Sequence, residues 1–145
     1  MAAKHKGLKS LIRLSDAALN ERRRELNAVE ERELEIKRLL DELEEEKRRE
    51  QKLARELEAG AFAYSGYAQG AIRRRAELEK KLEALQPELE RAREALSEAF
   101  QELKRYEIAL DQRKKSEKAE AERKTTLMLD EISLNMHRRR QEAAE

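Results

Sequence analysis

The chain has no cysteine and no tryptophan, one proline, four glycines and 3% aromatic residues across 145 positions. Without cysteine there are no disulfides, no Cys-ligated zinc and no thiol nucleophile, a composition that fits a reducing compartment. With so few aromatic and β-branched residues a compact globular core lacks its usual filling. No apolar run approaches the roughly 20 residues that span a bilayer. The short, interrupted Leu-Ile-Leu patch within Met1–Leu14 makes a poor signal peptide, so cytoplasm is the expected setting. An excess of one charge is also missing. The 33 basic and 32 acidic residues nearly cancel, so no global field points to nucleic acid, and the aromatics are not interleaved with basic residues. His5 and His137 have no neighbouring acid or cysteine in sequence and are expected to be exposed. Gly60, Gly66 and Gly70 are not followed by Lys-Ser or Lys-Thr, so they form no phosphate loop. The expectation is a protein that is not an enzyme, with no catalytic residue, metal site or cofactor.

What the chain has is charge, at 45% of residues, and heptads. Leu82, Leu89, Leu96, Leu103 and Leu110 recur every seven residues, and Leu78, Leu85, Ala92, Ala99 and Tyr106 fill the alternating position. Every a and d site from 78 to 110 is therefore apolar, the pattern that winds helices around one another. A weaker stripe runs through the first half: Ile12, Ser15, Leu19, Arg22, Leu26, Val29, Glu33, Ile36, Leu40, Leu43, Lys47, Glu50, Ala54 and Leu57. Between the two lies the only stretch rich in glycine and aromatics, from Gly60 to Gly70. Glycine just past a periodic run ends a helix, and a short connection makes two helices antiparallel neighbours.

The fold class expected is all-α, two long helices in an antiparallel coiled-coil hairpin forming a single rod over residues 1–145. Helix one is placed at about 8–59, the bend at about 60–66, and helix two at about 67–140, with a kink near the outward-facing Pro87. A turn centred near Phe62–Ala63 puts Leu43 opposite Leu82, Leu40 opposite Leu85, Ile36 opposite Leu89, Val29 opposite Leu96, and Glu50 opposite Arg75 as an ion pair. In that register Met1 faces Lys124, and residues 125–140 have no partner in the chain. Yet this segment carries Leu127, Met128, Leu129, Ile132, Leu134 and Met136. Either the overhang folds back or caps the end locally, or its apolar face binds a partner. Lys4, Lys6, Lys9 and Arg13 precede the first acid, and Arg138, Arg139 and Arg140 nearly close the chain. A hairpin would gather both groups into one basic tip. Tyr64 and Tyr67 at the bend either staple the turn or form a contact surface.

The bend Gly-Ala-Phe-Ala-Tyr-Ser-Gly-Tyr-Ala and the stretches Ala-Phe-Gln-Glu-Leu-Lys-Arg-Tyr-Glu (99–107) and Leu-Asp-Gln-Arg-Lys-Lys-Ser-Glu-Lys (110–118) carry a resemblance. Together with the near-terminal Arg-Arg-Arg, they resemble the flagellar export protein FliJ family in its alphaproteobacterial form. The resemblance spans nearly the whole chain. It implies a two-helix coiled coil similar to the rotary ATPase γ stalk, whose terminal end enters the flagellar export ATPase ring. It also implies a side surface that contacts the membrane export gate, and a role with export chaperones. Carried over by position, the tip would comprise Lys4, Lys6, Lys9, Arg13, Leu127, Met128, Leu129, Ile132, Met136 and Arg138–Arg140. The gate contact would fall on Tyr64, Tyr67 and Ile72. The implied partners are the ATPase ring, the gate protein and export chaperones, with no nucleic acid and no direct membrane insertion. The implied location is the cytoplasm, peripheral to the inner membrane at the flagellar base. The alternatives are a coiled-coil scaffold with no secretion role, or the equivalent stalk of a non-flagellar type III system.

Overall fold

The computed structural model describes residues 2–145; the expectations placed on Met1 lie outside the described residues. A 3-10 turn at Ala2–His5 leads into α1, Lys6–Glu56, and a three-residue turn leads into α2, Gly60–Ala144. There is no strand among the described residues, and the two long helices pack against each other as the heptads require. Pro87 lies inside α2 without ending it. Its missing N–H costs one backbone hydrogen bond on a helix that packing holds on both sides of the proline.

The chain divides into two compact units. One is a helical hairpin, Asp16–Gln101, whose seam centres on Leu89, only 1% exposed, with Leu19, Leu43, Ala71 and Leu85 also buried. The other joins the residues up to Ser15 with Glu102–Glu145, and buries His5, Leu8, Ser15 and Leu103. Each a and d position from 78 to 110 is buried or half-buried, and so are the α1 stripe positions except Arg22 and Leu57. Arg22 turns its guanidinium out to Glu25 at 2.9 Å, carrying its charge off the seam.

The bend differs from expectation. It falls at residues 57–59, and the stretch placed at 60–66 is already α2. Only Gly60 is needed for the turn. Its N–H reaches the Leu57 carbonyl at 3.1 Å, and a Cβ there would overlap the Ala54 backbone. Gly66 and Gly70 face open space. Among alanines 61, 63, 68 and 71 their poor helix propensity is offset, so they do not stop the helix.

The register moves with the turn. Arg32 pairs with Glu88 at 2.8 Å, Glu46 with Arg74 at 3.5 Å and Glu44 with Arg75 at 3.6 Å, while Gln86 donates to Glu33 at 3.2 Å. A turn at Phe62–Ala63 would have set Arg32 against Arg93 and Glu46 against Glu79. The observed partners lie about one and a half helical turns earlier along α2. The pair expected between Glu50 and Arg75 is therefore replaced by Arg75 with Glu44 and Glu79. An a/d stripe looks alike from one heptad to the next, so seam leucines alone leave several registers open. Flanking charges and the tight turn select among them.

Candidate functional site: the uncovered end of α2

In the unit that holds the chain's two ends, pairing can be followed as far as Glu117. His5, expected to be exposed and far from any acid, is instead 8% exposed and lies 2.9 Å from the Glu117 carboxylate through Nε2. Lys4 reaches the other carboxylate oxygen at 3.7 Å. The hydrogen bond from His5, and then the charges near it, hold the Glu117 carboxyl below the usual range. His5 and Leu8 stand seven residues before Ile12 and Ser15, so they continue the stripe. The polar His5 concealed that extension in the sequence. Its Nδ1 is buried without a hydrogen-bond partner.

Beyond Glu117 every residue of α2 is exposed. Leu127, Met128, Leu129, Leu134 and Met136 are all more than half exposed, and Ile132 is 48% exposed. These residues do not lie on one stripe. Leu127 and Leu134 continue the heptad series of Leu85 and Tyr106. Leu129, Ile132 and Met136 lie about half a turn round the helix from them. The segment is thus apolar on two opposite sides.

The basic residues are only partly brought together. Lys4 is tied to Glu117, with Lys6, Lys9 and Arg13 exposed nearby in sequence. Arg138–Arg140 lie more than twenty residues past Glu117, about 30 Å further along the helix. The single basic tip expected from the sequence is therefore two separate basic groups, one at each end of the exposed stretch. The separation arises because α2 continues past Glu117 as helix instead of turning back.

At the hairpin turn, Tyr64 and Tyr67 are half-buried and their rings stand 6.2 Å apart. Gln51 donates to the Tyr64 hydroxyl at 2.8 Å, and Arg74 lies over the Tyr67 ring at 5.8 Å. Burial first, then the Glu46 charge, raises the Tyr67 phenol above its ordinary value. Both tyrosines thus pack across the hairpin. Ile72 is 66% exposed beside a cavity of about 240 Å³ that Ala68 and Ala71 leave against Leu40 and Leu43. The sequence reading missed Phe62, which is 90% exposed. Nothing in the sequence set it apart from the two tyrosines at the expected bend.

The architecture is that of an all-α, two-helix coiled coil with one long uncovered helix end. The profile of the flagellar FliJ protein family matches residues 4–142. The Flagellar FliJ proteins of two Caulobacter vibrioides strains, NA1000 / CB15N and ATCC 19089 / CIP 103742 / CB 15, are each 35% identical over 105 residues. The match covers 72% of this chain and 76% of theirs. No solved structure matches. The chain belongs to the flagellar FliJ family, and is a component related to flagellar protein export.

Proposed function

We propose that the protein is a non-enzymatic stalk and adaptor of the flagellar export apparatus, and that the exposed end of α2 is its working tip. The observation that carries this reading is the two-sided apolar surface of residues 127–136. A single neighbouring helix covers one stripe. A helix apolar on opposite sides is covered when protein surrounds it, as in the central opening of a ring. The export ATPase ring is the partner this points to, with apolar burial supplying most of the affinity. Arg138–Arg140, and Lys4, Lys6, Lys9 and Arg13, would steer the tip toward an acidic lining, so binding should weaken as salt rises. In this reading the tip promotes assembly or turnover of the ring. Ile72, on a surface shaped by Tyr64 and Tyr67, contacts the membrane export gate, and the same protein escorts export chaperones. The setting is the cytoplasmic face of the inner membrane; no helix among the described residues is long and apolar enough to cross a membrane.

Removing residues 126–145 tests the tip. Those residues are all exposed and pack against no other helix, so helicity and melting should stay close to those of the intact chain while stimulation of the export ATPase is lost. Full stimulation by the truncated protein would reject the tip as the working end.

A further inference from the structure

Thr125, Leu129, Ile132 and Met136 step by four, three and four residues and so share one side of α2. Their only polar member is neutralised locally, because the Thr125 hydroxyl donates to the Ala121 carbonyl at 2.9 Å. Glu122 and Arg139 extend the same stripe by one step at each end. We propose that a second copy of this chain covers this stripe, the two α2 ends pairing antiparallel about a twofold axis between Asp130 and Glu131. In that register Leu129 meets the second copy's Ile132, and Thr125 meets the second copy's Met136. Glu122 meets the second copy's Arg139, and symmetry repeats each contact. Every apolar stripe position then faces an apolar group and both ends close on opposite charges. Arg123, Asp130, Glu131 and Arg138 lie on the far side of the helix and oppose nothing. Parallel in-register pairing would set Glu122 on Glu122 and Arg139 on Arg139, so the charges themselves select the antiparallel arrangement.

The contact is short, and its partner helix is already formed in each copy, so a weak, concentration-dependent dimer is expected. It does not rest on the ring reading, since only this chain takes part. A ring partner using the same stripe would have to displace the second copy. Sedimentation of the full-length protein up to about 100 µM should show reversible dimers, a range typical of small interfaces. Glu122→Arg should weaken dimerisation about tenfold, as should Arg139→Glu, while the double variant Glu122→Arg/Arg139→Glu recovers most of it. The chain has no cysteine of its own. Leu129→Cys mixed with Ile132→Cys should therefore crosslink faster than either variant with itself. A monomer throughout the concentration range would overturn the proposal and leave the stripe to an unlike partner. Dominant like-with-like crosslinks, or no recovery in the charge-swapped double variant, would overturn it too.

Discussion

The stretch of α2 from Leu78 to Leu110 and the stretch from Lys118 to Ala144 belong to one unbroken helix, yet they use their apolar residues in opposite ways. In the first, ten apolar positions fall on a single stripe and all are buried or half-buried. In the second, six large apolar residues are divided between two sides, and none is covered. Helix formation is common to both. What separates them is the width of the apolar surface and the presence of α1 against it, which can be traced as far as the contact of His5 with Glu117. A narrow stripe matches one helical partner, whereas a split one presents more apolar surface than a single neighbouring helix covers.

The sharpest way to break this comparison is to make the same kind of truncation in both stretches. Leu89→Ala removes the most buried side chain in the seam and should cost about 3 kcal/mol, whereas Ile132→Ala should change unfolding by less than about 0.5 kcal/mol. Equal losses in denaturant melts would mean that the end of α2 is packed after all. The turn comes next. Gly60→Ala forces a methyl into the Ala54 backbone and should cost about 2 kcal/mol, while Gly66→Ala and Gly70→Ala, open to solvent, should stabilise slightly. If all three alanines stabilise alike, the bend lies elsewhere.

Smaller effects sharpen the register. Arg32→Glu places like charges against Glu88 and should lower stability by under about 1 kcal/mol, with Arg32→Glu/Glu88→Arg restoring it. With the turn at Phe62–Ala63, Arg32 would face Arg93 and the same single change would stabilise, so the sign of the effect distinguishes the registers. The smallest effect concerns acid. Glu117 is held below its ordinary 4.5 by His5, so its contribution is present above that value and is lost as pH falls through the lowered one. Glu117→Gln should therefore flatten a slight loss of stability on acidification below pH 4.5, leaving the melting point at neutral pH lower than that of the unmodified chain. An identical acid profile in both proteins would mean that His5 does not hold the Glu117 carboxylate.

Much of this could be read from residues alone. Heptad spacing identified the α2 seam from Leu78 to Leu110 without error, because burial along a helix follows from periodicity and needs no knowledge of the partner. It also placed polar Ser15 on the seam, where it is buried. The same reasoning failed at the turn. Glycine can end a helix or sit within one, and three glycines in an aromatic stretch gave no local sign that only Gly60 meets backbone at close range. His5 was missed because a polar residue at an apolar phase looks like the end of a stripe until its acid, 112 positions away, is brought beside it. The two basic groups were merged because charge runs carry no record of how far a helix continues between them.

Composition and period therefore determined that this chain would be two long helices with one seam, since both are local properties summed along the sequence. Register, turn position and the burial of His5 were decided only in the tertiary structure. Heptads repeat, so translation along the seam changes its apolar contacts little. The choice rests on contacts between residues distant in the chain: opposite charges such as Arg32 and Glu88, and one backbone approach at Gly60 that leaves no room for a side chain.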